Sequence, residues 1–193
     1  RTGAVRWILY STPQKEGDPG LETWASLDAA KHGNGATWIP GVYDPETNLT
    51  FWGTGNPAPD WDGRSRLGDN LYSNSVVALD ADTGRLKWHY QFTPHDELDY
   101  DSTQVPLLAD ITWQGRPRKV ILHAPKNGFF YVIDRTNGKL ISAEPFTKTT
   151  WATRIDKETG RPVEVEGARY ERGVATVAPT PIGAHSWHAM SFN

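Results

Sequence analysis

The sequence predicts an all-β chain of repeated hairpins, and within that class a β-propeller in preference to a sandwich. The first observation is a turn unit that recurs. Asp80-Ala81-Asp82-Thr83-Gly84-Arg85-Leu86-Lys87-Trp88 returns as Asp134-Arg135-Thr136-Asn137-Gly138-Lys139-Leu140-Ile141 and again as Asp156-Lys157-Glu158-Thr159-Gly160-Arg161-Pro162-Val163. In each copy Gly supplies the positive φ that closes a tight hairpin, and Asp or Asn caps the turn locally. The second observation is spacing. Gly84 and Gly138 lie 54 positions apart, about the length of one four-stranded blade with its loops; Gly160 follows after 22, so the period is not strict. The third is the character of the flanking runs, which are β-branched and aromatic.

Taken in order, Arg1-Thr2-Gly3-Ala4-Val5-Arg6-Trp7 reads as a partial copy of the unit, a turn running into a strand. Thr23 to Ala30 gives a weak hint of a short helix. Tyr43 to Trp52 reads as strand, turn, strand. Ser75 to Leu79 leads into the Gly84 turn and Arg85 to Phe92 leaves it, while Lys119 to Ala124 and Gly128 to Ile133 form two more strands. Trp88, at a fixed place after its turn, packs either in its own core or as a wedge against the next blade, core packing being the plainer expectation.

Composition narrows the function classes. Twenty Lys+Arg against 23 Asp+Glu give a formal charge of -3, so a charge-driven grip on nucleic acid is not expected. No apolar run approaches the roughly 18–20 residues that cross a bilayer. The absence of Cys excludes disulfides and Cys-based zinc sites within this stretch. The chain opens at Arg1 inside a repeating pattern and stops at Met190-Ser191-Phe192-Asn193. It therefore reads as part of one β-propeller domain spanning residues 1–193, with N- and C-terminal parts of that domain lying outside it.

Four loops carry chemistry. In Gly33-Asn34-Gly35-Ala36-Thr37-Trp38, two glycines permit close backbone approach and the indole can floor a planar ligand; a packed corner is the alternative. In Gly53-Thr54-Gly55-Asn56-Pro57-Ala58-Pro59-Asp60-Trp61, the stiffly held carboxamide of Asn56 suits a hard cation, with an Asx turn as the alternative. In Thr93-Pro94-His95-Asp96-Glu97-Leu98-Asp99-Tyr100-Asp101, Asp99 and Asp101 project to one face if the segment is extended. Two such carboxylates repel unless a proton or cation lies between them, so a metal, a general base or a plain solvated acidic loop would account for them. In Ala124-Pro125-Lys126-Asn127-Gly128, Lys126 either reaches an anionic or carbonyl ligand or is an ordinary surface lysine.

Together these loops resemble the quinoprotein alcohol dehydrogenases of the methanol/ethanol dehydrogenase family, which use pyrroloquinoline quinone (PQQ) and a bound metal. The resemblance rests on Ala36-Thr37-Trp38, Tyr43-Asp44-Pro45, Gly53 to Pro59, Leu67-Gly68-Asp69-Asn70-Leu71-Tyr72, Thr93-Pro94-His95-Asp96 and Lys126 to Gly138, which fall in the family's order, and the run to Trp88 looks like its tryptophan docking motif. It implies an eight-bladed propeller, of which this chain covers about three to four blades. It further implies Trp38 as the stacking floor under PQQ, Thr37 beside it, Lys126 on the quinone oxygens, Asn56 and Asp99 as metal ligands, and Asp99 as the catalytic base. Asp101 matches an additional carboxylate of the lanthanide-dependent members, so the metal is a lanthanide(III) or Ca2+. The loop Gly183-Ala184-His185-Ser186-Trp187-His188 resembles a cofactor-side loop with Ser186 where the family has Asn, and leaves Trp187 to line the pocket.

The function implied is PQQ-dependent oxidation of a small primary alcohol to an aldehyde, with electrons passing to a cytochrome c, in the bacterial periplasm, by a protein that forms a homodimer at full length. The metal would act as a Lewis acid. This chain alone is expected to be an incomplete enzyme. A non-catalytic propeller that binds other proteins would share the strand pattern and is the competing reading.

Overall fold

The computed structural model describes residues 2–170 and 173–193. Ten strands form three antiparallel sheets. The first holds β1 (Val42–Asp44), β2 (Leu49–Gly53), β3 (Ser75–Asp80) and β4 (Leu86–Gln91) in sequential order. The second repeats that meander with β5 (Leu107–Trp113), β6 (Arg116–His123), β7 (Phe129–Asp134) and β8 (Leu140–Pro145). A two-stranded sheet, β9 (Ala152–Ile155) with β10 (Pro162–Glu164), follows. Two four-stranded blades are thus complete, joined by the tryptophan segment before them and the hairpin after them.

The repeated turn holds at the level of hydrogen bonds. Gly84, Gly138 and Gly160 take φ of +69°, +76° and +72°, and each donates its N–H to the carbonyl of the Asp four residues earlier at 2.8 Å. One carboxylate oxygen of that Asp (Asp80, Asp134 or Asp156) accepts from the backbone and hydroxyl groups of the turn. A further copy escapes a search for Thr-Gly. Asp44 accepts from the Glu46 N–H and the Thr47 hydroxyl, and Asn48 stands at φ +54° where the others use Gly. Asn is the residue that best tolerates that conformation after Gly.

The main core lies between the sheets. Phe51, Val76, Ala78, Tyr90 and Phe92 from the first meet Ile121, Phe129, Tyr131 and Ile133 from the second, with Trp151 and Ile155 closing the far side. Along β7 the alternate residues Phe130 and Val132 face a smaller cluster with Ala109, Val120 and Leu122, so both faces of this blade are covered. Burial on both faces explains why β7 reads as a continuous apolar run.

Trp88 does both things expected of it. It packs against the core beside Phe51, ring centroids 5.6 Å apart. It also lies over Gly138 in the next blade's turn, where an added Cβ would come within 2.6 Å of the indole. Trp7 repeats the arrangement over Gly84, and its indole N–H donates to the Ala81 carbonyl at 3.1 Å. The strand expected at Val5 to Trp7 does not form. That segment has no hydrogen-bonded strand beside it among the described residues, and a strand needs one; Arg1 lies outside the described residues. The helical hint resolves into a single turn of 3-10 helix, Leu21–Thr23, and α1, Leu27–Lys31, capped by the Ser26 hydroxyl accepting from the Ala29 N–H. Among the described residues no helix is long and apolar enough to cross a membrane.

Alternation of direction sorts the loops. The tight turns follow the odd-numbered strands β1, β3, β7 and β9, whereas the loops after β2, β4 and β6 all emerge at the opposite end. The tight-turn end is built for closure and the other end is free to carry chemistry.

The Trp–Gly contact can be tested. Gly138→Ala places a Cβ against the Trp88 ring at a positive φ. It should cost roughly 1–3 kcal/mol of stability, read as a lower urea midpoint at unchanged slope; Gly115→Ala, with open space around its Cβ position but a similar φ of +74°, isolates the conformational part.

Candidate active site

The loops after β2, β4 and β6 converge through backbone hydrogen bonds. The Ser102 N–H donates to the Thr54 carbonyl at 3.2 Å and the Lys126 N–H to the Asp101 carbonyl at 3.4 Å, while the Gly55 N–H reaches the Ala36 carbonyl, in the segment before β1, at 3.0 Å. The Asp96 carboxylate sets the shape of the β4–β5 loop. It is fully buried and accepts from the Leu98 N–H, the Tyr100 N–H and the Asn74 amide at 2.8, 2.7 and 2.8 Å. This wraps residues 96–100 into a tight coil, within which Asp99 takes φ +56°. The segment is therefore not extended, and the alternation expected to align Asp99 with Asp101 does not apply. Their carboxylates converge because both meet Lys126.

Lys126 is buried, against the base-rate expectation for a lysine. Its ammonium lies 2.7 Å from Asp101 Oδ2 and 3.3 Å from Asp99 Oδ2, and donates to the Asp99 carbonyl at 3.1 Å. Burial disfavours its charge, but the hydrogen bond and charge of Asp101, then those of Asp99, outweigh it and raise the pKa above the ordinary lysine value. Behind it, the Ala184 N–H donates to the Lys126 carbonyl at 3.0 Å. Gly183 packs so closely on the lysine stem that a Cβ there would lie 2.4 Å from Cγ.

Asp99 is the accessible member of the group, its side chain 27% exposed. Its pKa is pushed up to about 6, chiefly by burial; Lys126 acts against the rise and Asp101 adds to it. Asp101 is buried and accepts the Asn56 N–H on its other oxygen at 3.0 Å. The solvated acidic loop is thereby excluded.

Asn56 is buried beside this pair. Its amide nitrogen donates to Asp60 Oδ1 at 2.8 Å and to the Pro57 carbonyl at 3.1 Å. The Asx turn considered for it would need the side-chain oxygen as acceptor; here the nitrogen makes the local contacts, and Oδ1 has no donor among the described residues. Gly55 is required at this point, since a Cβ would stand 2.5 Å from Asp101 Oδ1 and 3.5 Å from the Trp38 indole nitrogen. Trp38 thus lies at the rim of the acidic site, 46% exposed.

Two carboxylates, one uncommitted carboxamide oxygen and a glycine-walled cradle suit a hard cation. Among the described residues no three His, Cys, Asp or Glu side chains form a metal-binding group, so the donors here make a partial set.

The remaining expected residues are not drawn into the cluster. Thr37 lines an apolar cavity of about 230 Å³ with Trp7, Tyr10, Trp52 and Tyr72. Trp187 is 64% exposed and stacks on His188 at 4.6 Å. Ser186 is partly exposed, next to His185, whose ring hydrogen-bonds the Ala124 and His188 carbonyls; it makes no hydrogen bond to the four clustered residues. What sequence reasoning missed is the support. Arg66, wholly buried, donates to the carbonyls of Pro59, Asp60 and Asp96 and to Asn70 Oδ1. Arg66, one of two arginines in the polar loop Trp61 to Arg66, carries no sequence signal of that role.

The family model described as "PQQ: Glucose/ethanol/alcohol dehydrogenase, beta-propeller domain" matches residues 1–163. A quinohemoprotein alcohol dehydrogenase, ADH IIB, of Pseudomonas putida is 50% identical across 100% of this chain and 29% of its own length. The structure of the quinohemoprotein alcohol dehydrogenase of Comamonas testosteroni is 46% identical, with a TM-score of 0.86 over 97% of this chain and 30% of that one. A europium-containing methanol dehydrogenase is 37% identical, with a TM-score of 0.87 over 93% of this chain and 31% of its own. The chain therefore spans about three tenths of these relatives.

The raised pKa of Asp99 has a definite sign. A buried carboxyl with its pKa raised from 3.8 to about 6 binds more protons folded than unfolded, so its contribution to stability falls as pH rises through that window. In the full-length protein freed of cofactor and metal, NMR of the Asp99 carboxyl should give a midpoint near 6, and Lys126→Met should move it higher, because the ammonium favours the ionised form.

Proposed function

Because the chain belongs to the PQQ-dependent glucose/ethanol/alcohol dehydrogenase β-propeller family, we propose that the full protein oxidises a small primary alcohol to an aldehyde and that this chain supplies its catalytic carboxylate. The observation that carries the reading is the buried Lys126 joined to Asp99 and Asp101 beside Asn56. A protein-binding scaffold has no use for an ion cluster whose desolvation is costly, so that alternative is not favoured.

Each residue has a role that its surroundings support. Asp99 is mostly ionised at neutral pH, partly exposed, and basic enough to take the proton of a substrate hydroxyl brought within hydrogen-bond reach. Lys126 holds a fixed positive charge that would steady developing negative charge on a quinone oxygen. Trp38, half exposed at the rim, would be the ring on which a planar cofactor stacks. Asn56, Asp99 and Asp101 would hold the cation, with Asp101 favouring a trivalent lanthanide over Ca2+, as its extra negative charge offsets the extra positive one; the similarity to a europium-containing enzyme points the same way. When bound, PQQ would supply the two-electron acceptor, the electrons leaving the alcohol as one hydride and the hydroxyl proton going to Asp99, and the cation would supply Lewis acidity. The quinohemoprotein names of relatives support a haem or cytochrome c acceptor, and such an enzyme would work in the periplasm.

Two substitutions in the full-length enzyme test this. Asp99→Asn should lower dye-linked alcohol oxidation by about 10²–10⁴-fold with PQQ still bound; turnover near the parent level would remove Asp99 from the reaction. Asp101→Ala should reduce the affinity for La3+ more than that for Ca2+, measured by competition in the absence of alcohol. Equal losses would argue against lanthanide preference.

A further inference from the structure

We infer that Asp60 is a positioning residue that fixes the amide of Asn56 in the orientation a cation needs. The inference rests on the reading of Asn56 as a cation ligand and goes one step behind it. A carboxamide binds a hard cation only through oxygen, and its two ends are nearly the same size, so packing alone does not choose between them. Here the choice is made by hydrogen bonds. Asp60 Oδ1 and the Pro57 carbonyl both accept from Asn56 Nδ2, at 2.8 and 3.1 Å. Turning the amide over would set its oxygen against two acceptors and lose both bonds. The nitrogen is therefore held on the side of its own loop and Oδ1 is left uncommitted, while the Asn56 backbone stays tied to Asp101 by the 3.0 Å bond.

Asp60 can serve in this way because it is itself held. Arg66 is completely buried, and its guanidinium spans the Pro59, Asp60 and Asp96 carbonyls at 3.0, 3.4 and 2.5 Å and Asn70 Oδ1 at 2.8 Å. One side chain thus locks the loop bearing Asn56 and Asp60 to the loop bearing Asp99 and Asp101. Partners that orient a metal ligand typically matter to affinity by about 10–100-fold.

The test uses the full-length protein, free of PQQ, titrated with terbium(III) and followed by sensitised luminescence. Asp60→Ala should weaken binding about tenfold or more, whereas Asp60→Asn, which keeps an oxygen to accept from Asn56 Nδ2, should stay within about threefold of the parent. If Asp60→Ala fails to fold, Asp60→Ser takes its place, since its hydroxyl is too short to reach the amide. Parent-like affinity in the truncated variant overturns the inference. So does an Asp60→Asn variant as weak as Asp60→Ala, because that result assigns Asp60 a role through charge alone. Asn56→Ala separates the two levels: unchanged terbium affinity there rejects Asn56 as a ligand, whereas a loss there with none at Asp60 rejects only the orienting role.

Discussion

A lysine ammonium buried between two aspartates governs this end of the molecule. An ammonium taken out of water is tolerated only with its charge matched and its protons placed. Lys126 meets both conditions through Asp101, Asp99 and the Asp99 carbonyl. That requirement ties three loops together, because the members of the cluster come from three connections. The β6–β7 loop supplies the cation and the β4–β5 loop both anions. The β2–β3 loop enters through the Asn56 N–H on Asp101. Removing any one carboxylate would leave a buried charge undermatched, so the site's geometry and its stability are the same problem.

The sheets make this possible by separating duties. At the tight-turn end, neighbouring blades are locked by an indole over a glycine and by Arg135, which joins Asp44, Glu46 and Asp110 across two sheets. Burial raises the pKa of Asp44, but the Thr47 and Glu46 hydrogen bonds and the Arg135 contact outweigh it and hold the carboxyl below its ordinary value. The far end then needs no hairpin economy. Its loops are long, contain Pro and buried polar groups, and are held by side-chain acceptors and donors such as Asp96, Asn74 and Arg66. Rigid strands thus present irregular backbone at a defined place, the usual division between scaffold and function.

Much of this was legible in the residues. The turn unit was visible because its chemistry is local: an acceptor, a short polar run and a glycine with positive φ repeat as a string. The strands around it were visible because doubly covered sheets make apolar runs. The hairpin at Asp44 hid its membership in the series because Asn48 replaces Gly. Chemistry-bearing loops could be ranked from Asn56, Asp99, Asp101 and Lys126, since those residue types are out of place in hairpin filler. Their meeting could not be derived from spacing. Asp99 and Asp101 converge through a coil set by Asp96, and the expectation from an extended chain gave the right partners for the wrong reason. Thr37 stands next to Trp38 in sequence yet lines the cavity beside Trp7. Arg66 and Asp60 left no mark because their roles exist only between loops.

The cluster also constrains how a metal would share it with Lys126. Asp101 already gives one oxygen to Lys126 and the other to the Asn56 N–H. A carboxylate oxygen has a second lone pair, so a cation can join without displacing either donor, provided it approaches from the side on which Asn56 Oδ1 is free. Two positive charges would then lie across a pair of carboxylates, and their mutual repulsion grows as the ion's charge rises. Asp101 is the residue that makes this balance tolerable: without it, Lys126 and the metal would share the single carboxylate of Asp99. The same balance bears on Asp99. A second positive charge would draw the pKa of Asp99 down from its value near 6, in which burial and Asp101 already outweigh the pull of Lys126.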